Sequence, residues 1–130
     1  MRMKCKTIVK GYAKGEVLYS EKPINFLMID DDGKINDISH PLSNKIIANK
    51  ILVIPNAIGS SVGAYKLYAL KLNNKAPLSI VCKKADIITA SGCAIANIPL
   101  VQFEDIERLM NVKKLVIDAN NSIIEIIDQT

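Results

Sequence analysis

The sequence is poor in aromatic residues. It contains no tryptophan, and Phe, Trp and Tyr together make up 5% of its 130 residues. A protein that binds single-stranded nucleic acid needs flat side chains on which the bases stack, so this scarcity argues against that class. The core is therefore expected to be filled mainly by Ile, Leu, Val and Ala.

Metal ligands are also scarce. The three cysteines, Cys5, Cys82 and Cys93, form no C-x-x-C pair, and the single histidine, His40, lies far from all of them in the sequence. Zinc and iron–sulfur sites need closely spaced Cys and His ligands. No metal or cofactor site built from this chain alone is therefore predicted. Two of the cysteines have apolar neighbours and are expected to be buried thiols.

The sequence also lacks a long apolar run. No segment reaches the length of a membrane span without polar interruption, and the first six residues, MRMKCK, hold no apolar signal region. The net charge is +4, from 17 basic and 13 acidic residues, and the lysines are spread along the chain. We therefore expect a cytoplasmic protein with no membrane or nucleic-acid partner. Its modest positive field suits an anionic small molecule.

The remaining composition is that of a folded protein. Hydrophobic residues make up 49% and charged residues 23%, which predicts one domain spanning residues 1–130. The pattern is strand-rich α/β, with a helix from Val62 to Leu72 and a short helix over 103–110. The Asn120-Asn121 pair predicts a hairpin between 114–118 and 122–127. Other extended segments are predicted over 6–10, 16–20, 24–29, 35–38, 51–54, 78–82 and 86–89.

Three further features have competing interpretations. The run Asp30-Asp31-Asp32-Gly33 begins like a calcium loop, but the later ligands are missing, which favours a solvated turn. His40 precedes a proline and is either a locally bonded turn residue or a residue that points into a site. The small apolar residues of 90–101, with Gly92 and Pro99 as hinges, allow close backbone approach to a neighbouring strand or to a partner surface.

The most informative stretch is a serine loop between a strand and a helix. The apolar run 51–54 is typical of a strand buried on both faces, and Pro55 suits the point where it leaves the sheet. The residues Gly59-Ser60-Ser61-Val62-Gly63 follow at the start of the helix. A serine at this place can cap the helix. It can also perform chemistry, because the N–H groups and dipole of a helix start stabilise an anion.

This loop resembles the Gly-Ser-Ser/Thr loop in the small swivelling domain of the aconitase superfamily. The chain is most similar to the small subunits of the aconitase X type, and the similarity covers nearly all of it. The supporting motifs are Gly11-x-x-x-Gly15, Gly33-x-Ile35-x-Asp37, His40-Pro41-Leu42, Ile51 to Pro55, Gly59-Ser60-Ser61, and Gly92 to Pro99. Two departures stand out. Leu27, Met28 and Ile29 replace the glycines common in the family, and Val62 replaces the arginine of aconitases that bind a tricarboxylate.

The resemblance implies a swivelling β/β/α domain that closes over a larger subunit carrying an iron–sulfur cluster. It implies dehydration of (R)-5-phosphomevalonate to trans-anhydromevalonate 5-phosphate in an archaeal mevalonate route to isoprenoids. In this family pattern Ser60 is the general base, and Gly59, Ser61 and Gly63 contact the substrate. Two alternatives remain open. One is a dehydratase of the same type acting on another hydroxy acid, such as a hydroxyproline, and the other is a non-catalytic swivelling or binding module.

Overall fold

The computed structural model describes residues 1–129, which form a curled eight-stranded sheet covered on one face by two α-helices. The strands are β1 (Arg2–Lys4), β2 (Lys6–Val9), β3 (Tyr12–Tyr19), β4 (Ile51–Ile54), β5 (Ser79–Cys82), β6 (Leu100–Gln102), β7 (Val112–Asp118) and β8 (Ile123–Gln129). The helices are α1 (Gly63–Leu72) and α2 (Ile87–Ala96), and two short 3₁₀ helices lie at Phe26–Met28 and Ile106–Leu109. None of these helices is long and apolar enough to cross a membrane.

The order of strands in the sheet is β1-β8-β7-β3-β4-β5-β6-β2. Strands β3 to β6 are parallel to one another, whereas β7, β8 and the two N-terminal strands pair antiparallel to their neighbours. Strands β1 and β2 are consecutive in the chain but lie at opposite edges of the sheet. The bend at Cys5, whose N–H donates to Ser122 O at 3.0 Å, therefore joins the two edges.

The centre of the sheet divides the core into two clusters. All four residues of β4 are buried, and alternate side chains along the strand point to opposite faces. Leu52 and Ile54 belong to the cluster beneath the helices, whereas Ile51 and Val53 belong to the cluster enclosed by the antiparallel strands. The predicted strand buried on both faces is confirmed, as is the neighbouring buried strand β5.

The two helices pack against each other at Gly92. A Cβ atom added at Gly92 would lie 2.7 Å from Leu67 Cδ1 and 3.1 Å from Ala64 Cα. The glycine is therefore required for the close approach of α1 and α2. At Gly92 the close neighbour is therefore helix α1, rather than the strand or partner surface predicted for 90–101.

Several predicted elements are wrong. The segment 86–89 is not a strand but the beginning of α2, because the carboxylate of Asp86 accepts the Thr89 N–H and starts a helix. The segment 24–29 is not a strand either, because Asn25 caps a 3₁₀ helix. The predicted helix over 103–110 is only the 3₁₀ helix Ile106–Leu109, and 35–38 contributes a single bridge, between Ile29 and Ile35.

The remaining predicted elements are confirmed. The hairpin forms between β7 and β8, although the left-handed residue of its turn is Ser122 rather than an asparagine. The predicted strand over 6–10 is β2, and the one over 16–20 is the second half of β3, which continues through Gly15. Strand β1 was not expected, because its three residues alternate too briefly to give a pattern.

Candidate active site at the serine loop

The serine loop lies at the carboxyl edge of the parallel strands, between β4 and α1. This is the edge at which ligands bind in open α/β sheets, because loops and helix N-termini converge there. Strand β4 ends at Ile54, and Pro55 leaves the sheet as predicted. Residues 58–62 of the loop are all exposed, so the serines are accessible from outside the chain.

The first half of the loop is held by the segment that precedes the 3₁₀ helix Phe26–Met28. Ile24 forms a parallel bridge with Ala57, and Ile58 N–H donates to Ile24 O at 3.0 Å. Gly59 has φ +98°, and an added Cβ would lie 2.8 Å from Asn25 Oδ1. This position therefore accepts only glycine, for reasons of both backbone conformation and space.

Ser60 fulfils the structural one of the two roles that the sequence left open, and its chemical role remains a prediction. Its Oγ accepts a hydrogen bond from Val62 N–H at 3.2 Å, and its carbonyl accepts from Gly63 N–H at 2.9 Å. These bonds begin the first turn of α1, so Ser60 satisfies the helix start although Val62, with no side-chain bond, occupies the position immediately before α1. The Val62 N–H group donates to Ser60 Oγ, which is the atom that would accept a proton if Ser60 were a general base, and Ser60 is exposed.

Ser61 and Gly63 differ in their surroundings. The Ser61 carbonyl accepts from Ala64 N–H at 3.1 Å, and the residue is exposed. Gly63 is buried, and an added Cβ would lie 3.4 Å from Ile88 Cγ2 and 3.5 Å from Phe26 Cβ. Gly63 therefore lets α1 pack on the core behind the loop. Substrate contacts by Gly59, Ser61 and Gly63 remain predictions.

The serines have few hydrogen-bond partners. Among residues 1–129, no carboxylate, imidazole or amine forms a hydrogen bond with Ser60 or Ser61. Within these described residues, the Val62 N–H is therefore the one donor to Ser60 Oγ.

His40 is the only imidazole in the chain, and its position answers the question that the sequence left open. It is buried, its Nδ1 accepts from Leu42 N–H at 3.0 Å, and its Nε2 lies 3.1 Å from Pro23 O. An acceptor at Nδ1 and a carbonyl opposite Nε2 fit the neutral tautomer protonated at Nε2. His40 is thus a turn residue bonded to nearby backbone.

The acidic run at 30–33 is the solvated turn that was predicted. Asp30 Oδ1 accepts from Asp32 N–H at 2.9 Å and from Lys34 N–H at 3.0 Å. The bond from Lys34 N–H is the largest of the effects that lower the pKa of Asp30 below its usual value, and the bond from Asp32 N–H and the charges of Lys34 and Lys66 lower it further. The carboxylate oxygen is occupied by the turn itself, as in an Asx turn.

The thiols are poor candidates for metal ligands. Burial raises the pKa of Cys5 to about 11 and that of Cys82 to about 12, and it raises the pKa of Cys93 well above its usual value. A metal ligand must be a thiolate, which these environments disfavour. No group of three or more His, Cys, Asp and Glu side chains gathers at ligating distance anywhere in 1–129.

Asp86 is a residue of the site that the sequence patterns did not identify. Its Oδ1 accepts from Ala57 N–H at 2.8 Å, two residues before Gly59. The signal was present, because an Asp immediately before an apolar run is a common residue at a helix start. The β-branched residues that follow it favoured a strand instead.

A set of exposed apolar side chains, which we call the apolar collar, lies on the serine loop and on the segments bonded next to it. We use this name for six large apolar side chains that are at least 40% exposed: Leu27, Met28, Ile38, Ile58, Val62 and Ile87. Ile58 and Val62 flank the loop, and Ile87 follows the carboxylate that binds Ala57. Leu27 and Met28 follow Asn25, whose side chain lies against Gly59 of the loop. Ile38 lies in the turn after Asn36, whose N–H donates to Met28 O. Clustered exposure of this kind is typical of an interaction surface.

Comparison with known proteins gives consistent matches over the whole chain. A family model described as the aconitase X swivel domain matches residues 2–126. The phosphomevalonate dehydratase small subunit of Thermococcus kodakarensis is 41% identical, over 98% of this chain and 98% of that protein. The protein of the same name from Pyrococcus furiosus is 39% identical, over 99% and 98%. The crystal structure of Thermococcus kodakaraensis aconitase X in its holo-form matches with a TM-score of 0.93, covering 98% of this chain and 99% of that chain.

Proposed function

The chain belongs to the aconitase X swivel-domain family, and we propose that it is the small subunit of a hetero-oligomeric phosphomevalonate dehydratase. The substrate would be (R)-5-phosphomevalonate and the product trans-anhydromevalonate 5-phosphate, in a mevalonate route to isoprenoids. The names of relatives that share 35–41% of their residues with this chain support the proposal. We expect the assembled enzyme to be cytoplasmic.

The observation that carries the catalytic part of the proposal is the bond between Val62 N–H and Ser60 Oγ at 3.2 Å. Dehydration of a 3-hydroxy acid removes a proton from the carbon beside the carboxylate and a hydroxide from the next carbon. The proton passes to Ser60 Oγ, so the serine must react as an alkoxide. A backbone donor at a helix start, aimed at that oxygen, stabilises the negative charge.

The neighbouring groups of the loop would orient the substrate. The Ser61 hydroxyl is exposed beside Ser60 and can donate to an anionic oxygen of the ligand. Gly59, with its left-handed backbone, brings the main chain close to the same space. These contacts would hold the acidic carbon near Ser60 Oγ, which is the geometric requirement for proton transfer.

The family resemblance also implies an iron–sulfur cluster, whose ligands this chain does not fit. Its three thiols have raised pKa values, and Cys82 and Cys93 are buried. We therefore assign the cluster to the large subunit, where an iron would supply Lewis acidity for the departing hydroxide.

The apolar collar gives a reason for the two-subunit design. Ser60 is exposed to water in the isolated chain, and an alkoxide would be protonated there. If the large subunit covers the collar, the same contact removes water from the loop and strengthens the bond to Val62 N–H. The chain alone is therefore expected to be inactive.

The direct test is co-expression with the large subunit encoded by the same genome, followed by an anaerobic dehydration assay on phosphomevalonate. Ser60→Ala should lower kcat about a hundred- to ten-thousandfold, the range for loss of a general base, while the complex still assembles. Ser61→Ala should raise KM more than it lowers kcat. Asn120→Ala, in the exposed turn between β7 and β8 at the opposite edge of the sheet, is the control and should change neither.

The possible outcomes distinguish the remaining alternatives. Near-normal activity of Ser60→Ala would remove Ser60 from the role of base. A complex that ignores phosphomevalonate but dehydrates a hydroxyproline would keep the mechanism and replace the substrate. Failure to bind any large subunit would leave the non-catalytic module as the better description.

A further inference from the structure

The carboxylate of Asp86 connects two elements that are separate in the sequence. Its Oδ1 accepts from Ala57 N–H at 2.8 Å, across 29 positions of the chain. Its Oδ2 accepts from Thr89 N–H at 2.9 Å, which caps α2, and Oδ1 also accepts from Thr89 Oγ1 at 2.9 Å. One side chain therefore fixes the exit of β4 to the start of α2.

This connection needs a carboxylate rather than any polar side chain. Two backbone N–H groups approach from different directions, and each has its own acceptor oxygen. An asparagine has one acceptor oxygen, so it can serve Ala57 or Thr89 but not both. The amide nitrogen of the asparagine would then face the second backbone N–H group, and two donors repel each other.

Ala57 lies in the segment that anchors the loop before the serines. Asn56 O accepts from Ile24 N–H at 3.3 Å and Ile58 N–H donates to Ile24 O at 3.0 Å, on either side of the Ala57 bridge. The backbone hydrogen bonds formed by 59–62 all run forward to the first turn of α1. The serines are therefore suspended between the anchored segment 56–58 and α1, and Asp86 is the side chain that bonds to that anchored segment.

We infer that Asp86 is the positioning residue of the serine loop: it fixes the height of Ser60 above the carboxyl edge of the sheet relative to both helices. This inference rests on the proposed function, because it concerns the base of that reaction. Asp86 acts through Ala57 and is not itself assigned a contact with the substrate. A loop that moves by even about 1 Å loses proton-transfer geometry, which can lower turnover by as much as a hundredfold.

The test compares Asp86→Asn with Thr89→Val. Both variants weaken the cap of α2, but Thr89→Val removes only the hydroxyl bond and keeps the link between the carboxylate and Ala57 N–H. In the assembled enzyme, assayed well below the unfolding temperature of each variant, Asp86→Asn should lower kcat ten- to a hundredfold with KM within about threefold of the parent. Thr89→Val should leave kcat and KM within about threefold of the parent values. Asp86→Glu keeps two acceptor oxygens, but its longer side chain misplaces them. It should therefore recover less than half of the kcat that Asp86→Asn loses.

A second measurement does not depend on activity. In the isolated 15N-labelled chain, Asp86→Asn should shift the amide resonances of Gly59 and Ser60 and speed hydrogen exchange at Ala57, whereas Thr89→Val should affect mainly α2. Unchanged loop resonances in Asp86→Asn, or equal losses of kcat in the two variants, would overturn the inference. An inactive parent complex would contradict the proposed function instead, and the resonance shifts would still decide the role of Asp86.

Discussion

Gly92 offers the clearest quantitative test of how the two helices support the serine loop. Replacing it by alanine places a methyl group where Leu67 Cδ1 would be 2.7 Å away, Ala64 Cα 3.1 Å and Ala64 O 3.2 Å. Leu67 is completely buried and has no open space to turn into, and the Ala64 contacts are to backbone. The helices must therefore separate by a few tenths of an ångström. Ser60 lies just before α1, so this separation also affects the serine loop.

Two opposing terms set the size of the effect. Alanine is favoured over glycine in a helix interior by about 1 kcal/mol. Overpacking of a well-filled core costs about 1–3 kcal/mol. We therefore expect Gly92→Ala to lower the free energy of unfolding by about 1 kcal/mol, a Tm decrease of about 4 °C for a chain of this size.

The assay is urea unfolding of the isolated chain followed by circular dichroism, with Ala94→Gly as the matched control. Ala94 is exposed on the same helix, so its replacement measures the helix preference alone, about 1 kcal/mol. Adding that value to the loss in Gly92→Ala gives the packing cost, expected near 2 kcal/mol. A Gly92→Ala chain as stable as the parent would show that the two helices are not in fixed contact and would refute this reasoning.

Three further predictions concern assembly, the thiols and acid stability. Ile87→Asp should weaken binding of the large subunit by about 2 kcal/mol, roughly thirtyfold, because it removes an exposed apolar side chain of the collar. Ile95→Asp, on the same helix outside the collar, is the control and should change the affinity little. Calorimetry of the two variants measures the difference. At pH 8 a disulfide reagent should label the native chain far more slowly than the chain in guanidinium, and rapid native labelling would contradict the raised pKa values of the three thiols, Cys5, Cys82 and Cys93. The pKa of Asp30 is lowered on folding, so its contribution to stability is full above its usual pKa near 4 and is lost as the pH falls through the lowered value. Asp30→Asn should accordingly reduce the loss of stability as the pH falls below about 4 in acid titrations, and an unchanged profile would rule out this contribution.

The sequence predicted the parts of the fold in which one local pattern dominates. The runs at Ile51–Ile54 and Ser79–Cys82 are long, β-branched and bounded by turn residues, so their burial could be predicted. The start of α2 could not, because Ile87, Ile88 and Thr89 favour a strand and are helical only through the cap at Asp86 and the packing of Gly92 on α1. Tertiary contacts thus overrode local preference where the site needs them.

The position of Ser60 could be predicted from the loop and its likeness to a family, but its environment could not. Which N–H group bonds to its oxygen depends on the first turn of α1, and spacing gives no information about that geometry. The link from Asp86 to Ala57 spans 29 positions and involves a backbone donor, so no pattern of side chains could indicate it. The collar is invisible in the sequence for a related reason, because exposure of an isoleucine is decided by the fold.

The proposed role of Ser60 as an alkoxide base explains why the proposed site would need a second chain. An aliphatic hydroxyl is about as weak an acid as water, so its pKa lies far above neutral pH. Lowering that pKa towards neutral pH requires about 1.4 kcal/mol of alkoxide stabilisation for each tenfold change in the acid dissociation constant. A hydrogen bond to a charged group contributes about 1.5–3 kcal/mol, and within the described chain Ser60 Oγ has one donor, at 3.2 Å, and an exposed position. That is a small part of what an alkoxide needs, so the rest must come from outside the described chain, through exclusion of water, further donors and positive charge that the proposed large subunit would bring. It follows that a mutation on the large-subunit side of the collar should lower kcat even when it leaves Ser60 and its helix unchanged.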